Sequence, residues 1–163
     1  MGFASHLGPW RLGTVKDTTG TTAGTISNMG CTTVAQSAAI AYTTTSAATV
    51  AVLPAGSQIT NIFVDVTTAF NSGTNNVITI QTSGGSSLAT VTATAANITT
   101  GRATVVLTAA QMATILNVGT TDLIVQAVFA GTGTAATTGA ATVTIQYVVR
   151  NSDGAQAPTA FQN

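Results

Sequence analysis

Catalysis needs titratable groups held against one another, and this chain offers few. Its charged side chains are Arg11, Lys16, Arg102 and Arg150 against Asp17, Asp65, Asp122 and Asp153, beside one histidine, His6, and one cysteine, Cys31; there is no Glu. Nucleophilic catalysis asks for a Ser, Thr or Cys within reach of a base that a third group orients. His6 is the only imidazole, and it reads as a solvated or interface residue. Glycoside hydrolysis asks for two opposed carboxylates. Asp65 falls mid-strand, at the parity opposite Ile62 and Val64, which makes it a solvent-facing or salt-bridged aspartate. Asp122 beside Thr120-Thr121, and Asp153 beside Asn151-Ser152, offer oxygens for a weak calcium site. Loop Asp and Asn residues are more often turn formers. Gly131-Thr132-Gly133 lacks the rest of any dinucleotide fingerprint. Asn97-Ile98-Thr99 matches a glycosylation sequon, a three-residue pattern that arises readily by chance in so Thr-rich a chain. The residues specify no active site, no cofactor and no metal cluster, and the chain reads as a non-enzyme.

The same scarcity bounds the partners. Of 163 residues only 5% are charged, against roughly 25% in ordinary globular proteins. Four scattered cations cannot neutralise a run of phosphates, so no nucleic acid is expected as a partner. An anionic membrane surface is excluded on the same ground, and no apolar run approaches the ~18 residues that span a bilayer. Cys31 stands alone, so no intramolecular disulfide forms, and it reads as a small buried apolar residue. The opening Met1-Gly2-Phe3-Ala4-Ser5-His6 lacks the charged and apolar regions of a signal peptide, and His6 stands where myristoylation wants Ser or Thr. An apolar fraction of 45% with so little charge argues for a folded core rather than disorder. Zero net charge favours association, so the composition points to assembly.

The elements that would position any site are strands. From Cys31 onward apolar residues recur with period two between turn clusters. Val34–Thr43 carries Val34, Ala38, Ile40 and Tyr42 on one parity. Thr49–Leu53 puts Val50 and Val52 on one face before the turn Pro54-Ala55-Gly56-Ser57. Gln58–Thr67 sets Ile62, Val64 and Val66 against Asn61, Phe63 and Asp65. After the loop Asn71–Asn76 come Val77–Gln81 with Ile78 and Ile80 inward, then Leu88–Thr94 beyond Gly84-Gly85. Arg102–Leu107 reads as a further strand. Leu123–Ala130 and Ala141–Arg150 close the series, with Phe129 and Tyr147 at inward parity. Thr clothes the exposed faces: it is β-branched, suits the pleat and carries no charge.

One segment has a different period. Thr108 followed by Gln111 forms a capping box, and Ala109, Met112, Ile115 and Leu116 fall at helical spacing. The spacing predicts a short helix over Ala109–Leu116 that plugs one end of the sandwich, with Met112 in the core. The expected organisation is an extended N-terminal arm over 1–30, a β-sandwich over 31–150 and a flexible C-terminal tail over 151–163. The fold class is all-β, an antiparallel sandwich or jelly-roll-like domain of about eight strands with one short helix. Phe3, Leu7, Trp10 and Leu12 are the candidate partner-binding residues, because large apolar anchors on a polar arm dominate interface energy. An arm of this kind lies along another surface or pairs as an edge strand of its own domain.

The segment Pro54-Ala55-Gly56-Ser57-Gln58-Ile59-Thr60-Asn61-Ile62-Phe63-Val64-Asp65-Val66-Thr67-Thr68-Ala69-Phe70-Asn71-Ser72-Gly73-Thr74 resembles small β-rich virion proteins of tailed bacteriophages, especially marine ones. The closing strand Gly139–Val149, and the opening Gly8–Val15 followed by Thr18–Thr25, are similar to the same group. The resemblance implies a virion role and supplies no catalytic residue. It implies a capsid decoration or cement protein on the head exterior, with the major capsid protein or another virion protein and its own copies, as a trimer, for partners. A tail, knob or fibre component is the alternative within the virion, and a carbohydrate-binding or adhesin module the alternative outside it.

Overall fold

The computed structural model describes residues 33–94, 97–116 and 118–149. Its elements are β1 (Val34–Ala41), β2 (Ala48–Leu53), β3 (Ser57–Thr68), β4 (Asn75–Thr82), β5 (Ser87–Thr94), β6 (Gly101–Ala103), α1 (Ala109–Leu116), β7 (Leu123–Thr132) and β8 (Ala140–Val149). Two four-stranded antiparallel sheets have the orders β1-β8-β3-β6 and β2-β7-β4-β5. The pairings are nested: β4 with β5, β3 with β6, β2 with β7 and β1 with β8. One long antiparallel ribbon, turning at residues 83–86, is therefore wrapped into two facing sheets. That is the strand order of a jelly roll, and it resolves the expected sandwich into one topology.

The alternation seen in the sequence packs the space between the sheets. Val64 pairs with Val143 and Ile62 with Ile145 in one sheet; Ile78 pairs with Phe129 and Ile80 with Ala127 in the other. All of these are buried, as are Tyr147, Val125 and Leu53. Thr142 and Thr144 stand on the outer face of β8, opposite Asp65 and Phe63 of β3, and Thr79 pairs with Thr90 across β4 and β5. Thr thus takes the outward parity where most sheets carry charge.

Loops at one end are locked into the core. Phe70, between β3 and β4, is fully buried, and its ring lies 4.7 Å from that of Phe129 at 33°. Its N–H bonds the Ile98 carbonyl at 3.1 Å. Asn71 holds the β7–β8 loop, its Oδ1 accepting from the N–H of Thr137 at 2.9 Å and of Thr138 at 3.0 Å. Gly139 follows with φ of 147°, and a Cβ there would overlap the Phe70 ring. At the other end Pro54-Ala55-Gly56-Ser57 makes the expected turn, closed by the Ser57 N–H on the Pro54 carbonyl at 3.1 Å with Gly56 at φ of 73°.

Three expectations are corrected by the structure. Val50 and Val52 do not share a face: the β2–β7 register slips between Thr49 and Ala51, leaving Val50 as an extra residue. After that bulge Ala51 and Leu53 point inward and Val52 is 45% exposed. The strand expected over Arg102–Leu107 shrinks to Gly101–Ala103, because it follows β3 only from Val66 to Val64 before crossing to bridge Val106 with Thr90 of β5. Helix α1 has the expected limits and box. The Thr108 N–H bonds Gln111 Oε1 at 2.7 Å, and the Gln111 N–H bonds Thr108 Oγ1 at 3.3 Å. It packs against β3 and β5, with Gln111 Nε2 bonding Ser87 Oγ at 2.9 Å, and none of its residues is buried. Met112 is therefore not core: it is 51% exposed, and Ile115 is the residue that packs inward.

Candidate interaction surfaces

A sandwich has four edge strands, and an uncovered edge is a template for another chain. In this fold they are β1, β6, β2 and β5, and three are blunted. β6 is three residues long. β5 exchanges both hydrogen bonds between Thr90 and Val106, at 3.4 Å and 3.1 Å. β2 is closed by a side chain from the facing sheet: Gln36 Nε2 donates to the Val52 carbonyl at 2.8 Å, and the Val52 N–H donates to Gln36 Oε1 at 3.1 Å. The Gln36 amide thus stands in for a strand, and its second N–H bonds the Tyr147 hydroxyl at 2.7 Å.

β1 differs. The Tyr42 N–H bonds the Gly139 carbonyl, so the even-numbered residues of β1 face β8. The Ala41 N–H turns the other way and is taken by Thr44 Oγ1 at 3.0 Å. By the same parity Ala35, Ser37 and Ala39 present their N–H and C=O groups outward, where no described strand lies. β1 contains no charge and no Pro, the devices that ordinarily deter strand addition.

Two of the three charged side chains among the described residues meet on the outer face. Arg102 of β6 grips Asp65 of β3 with two bonds, Nε to Oδ1 at 2.8 Å and Nη2 to Oδ2 at 3.1 Å. Its guanidinium carbon also lies 4.2 Å from the centre of the Phe63 ring. The hydrogen bond from Arg102 holds the Asp65 carboxyl below its ordinary range, with slight burial opposing and the charge attraction adding. The same bond raises Arg102. Asp65 is thus the salt-bridged aspartate that its parity suggests. The third charged side chain among the described residues, Asp122, accepts the Ala55 N–H at 2.9 Å and pins the Pro54 turn. No group of three or more His, Cys, Asp or Glu able to hold a metal occurs among the described residues.

Among the described residues, some large apolar side chains are exposed. Met112 and Leu116 on α1, and Val106 in the segment that leads to it, are each more than half exposed. Val52 and Ile124, a registered pair on β2 and β7, are exposed on the β2-β7-β4-β5 sheet, and Val34 is exposed on β1 of the other sheet. A shallow hollow of about 290 Å³, lined by Asn97, Thr99, Thr100, Arg102 and Thr104 among others, opens beside β6. The Asn97-Ile98-Thr99 sequon runs along its wall, with Asn97 and Thr99 exposed and Ile98 buried.

Phe3, Leu7, Trp10 and Leu12, together with His6, Cys31 and Asp153, lie outside the described residues, as do the arm over 1–30 and the tail over 151–163. The structure instead draws attention to the Gln36–Val52 clamp and the β1 edge. Gln36 carries no motif, and its role depends on two sheets meeting.

No family model matches the sequence, and no curated protein matches it. Among solved structures the fold is similar to a chain described as "Cyanophage Pam1 capsid asymmetric unit", at 17% identity and a TM-score of 0.48, covering 83% of this chain and 97% of that one.

Proposed function

We propose that the chain is a non-enzymatic structural subunit of a tailed-bacteriophage particle, acting as a decoration or cement protein on the head exterior. Its partners in this reading are the major capsid protein and further copies of itself, as a trimer. The observation that carries the reading is a jelly roll with almost no charge on its sheets. Jelly rolls serve capsid, lectin and cupin domains alike, so the fold alone does not choose. The surface narrows it. Thr-covered outer faces, exposed apolar residues and a β1 edge that no described strand covers are what many weak contacts, multiplied over copies, require. The sequence resemblance to small phage virion proteins points the same way.

A sugar-binding module is less well supported. Sugar rings stack on open aromatic faces, whereas Phe70, Phe129 and Tyr147 are buried and Phe63 is covered by Arg102.

A phage deleted for this gene tests the cement role. Its heads should rupture under heat or osmotic shock that intact particles survive, and added purified protein should restore them. Deletion particles as robust as the parent would remove the cement reading.

A further inference from the structure

The segment from β6 to the end of α1 is anchored on either side and only lightly held between. Before it, Ile98 is buried and its carbonyl takes the Phe70 N–H at 3.1 Å. After it, the Val118 N–H bonds the Ser57 carbonyl at 2.9 Å, and the Gly56 N–H bonds the Gly119 carbonyl at 2.7 Å. Between these anchors no residue from 101 to 116 is buried. Gly101 enters the segment with φ of 112° and Gly119 follows it with φ of 93°. Glycine takes such angles at little steric cost, so the chain can turn at both ends of the segment.

The attachments along the segment are few, and each is of a weak kind. β6 pairs with β3 over three residues only. Its Arg102 bonds Asp65 in a solvent-open pair, which contributes little. Val106 reaches the other sheet through its two bonds with Thr90, at 3.4 Å and 3.1 Å. The bond from Gln111 to Ser87 also lies at the surface. Val105, Leu107 and Ile115 are only partly buried, and with Thr60, Asn61 and Ile62 they line a hollow of about 110 Å³. Side chains facing such a hollow lose part of the dispersion contact that close packing gives. A helix of eight residues is too short to persist without tertiary support, so α1 melts when the segment lifts.

We propose that Gly101–Leu116 is a strap that lifts from both sheets as one unit while the sheets themselves stay folded. Lifting uncovers the edge of β3 at Val64–Val66, the edge of β5 at Thr90 and the apolar side chain of Ile62. The two edges belong to different sheets, and an uncovered edge is open to pairing. The strap is therefore a conditional cover, drawn from the least buried part of the described chain, as moving elements generally are. The inference concerns the chain alone and stands or falls apart from the virion reading.

The test is native-state hydrogen exchange on the full-length chain, followed by NMR across a range of denaturant concentrations. The reporters are the Val106 N–H, which bonds Thr90, and the Met112 N–H, which bonds the Thr108 carbonyl at 2.9 Å. Both should exchange through one opening, with equal frequency and an equal, small denaturant dependence, at least a hundredfold more often than amides of β4 and β8. Reporters that exchange only together with β4 and β8, or that open separately from each other, would overturn the proposal. A pinned variant gives the second readout. Thr90→Cys with Val106→Cys, in a Cys31→Ser background, places a disulfide across directly paired residues of β5 and the strap. With that disulfide closed, exchange at Met112 should slow at least tenfold, and reduction should restore it. Exchange at Met112 that ignores the disulfide would mean that α1 frays by itself, and the strap would not be a unit.

Discussion

The side-chain amide of Gln36 satisfies both backbone groups that Val52 presents at the edge of β2, at 2.8 Å and 3.1 Å, across the seam between the two sheets. Sheets in a sandwich are held mainly by apolar contact, and this clamp adds a directional link between them. Gln36→Leu keeps the bulk of the side chain and removes the link. It leaves the Tyr147 hydroxyl without that donor in a buried setting. A loss of about 1–3 kcal/mol is expected, seen as an earlier denaturant midpoint. The exposed Val52 edge should also promote aggregation. An unchanged midpoint would show that the clamp is incidental.

The Asp65–Arg102 pair makes a pH-dependent contribution whose sign follows from its geometry. The folded carboxyl titrates below its ordinary value of 3.8, so the pair's stabilisation is present above that value and is lost as pH falls through the folded one. Asp65→Asn should therefore melt slightly below the wild type at neutral pH, with the gap closing in acid. Added salt should narrow the gap, because both partners are exposed. A gap independent of pH and salt would assign the effect to packing instead.

Gly139→Ala tests the locked loop end. The substitution forces a side chain into a positive-φ conformation and against the buried Phe70 ring. Strain and overpacking together should cost about 2–5 kcal/mol. Adding Phe70→Leu should recover part of the overpacking and none of the backbone strain. Additive losses in the double variant would show that the two residues do not meet.

Removing the helix cap should act locally. Thr108→Ala deletes one arm of the capping box, worth about 1 kcal/mol. Because α1 has no buried residue, the loss should appear as roughly fivefold faster hydrogen exchange in α1, with β3 and β8 unchanged. Faster exchange throughout the sheets would mean that α1 supports the whole sandwich.

These residues also show what could be read before the fold was known. The α1 box was legible because Thr108 and Gln111 are three residues apart and make their bonds locally. Inward strands such as Val143–Tyr147 were legible because burial follows a period of two. The separate faces of Val50 and Val52 are not legible in β2 alone, because a bulge depends on the partner's register. Phe70 sits among loop residues, so nothing local marks it as core. Every strand pairing but that of β4 with β5, together with the Gln36 clamp and the meeting of Asp65 with Arg102, joins residues 16 or more positions apart. They follow from the jelly-roll topology and not from spacing. The anchors Phe3, Leu7, Trp10 and Leu12 remain a proposal drawn from residue type.

The central claim is that this chain is a structural part of a phage particle, and its copy number in purified virions tests that most directly. Quantitative mass spectrometry of gradient-purified particles should find the chain at a fixed, stoichiometric ratio to the major shell protein. Its absence from the particles, or recovery only in traces that vary between preparations, would contradict the account.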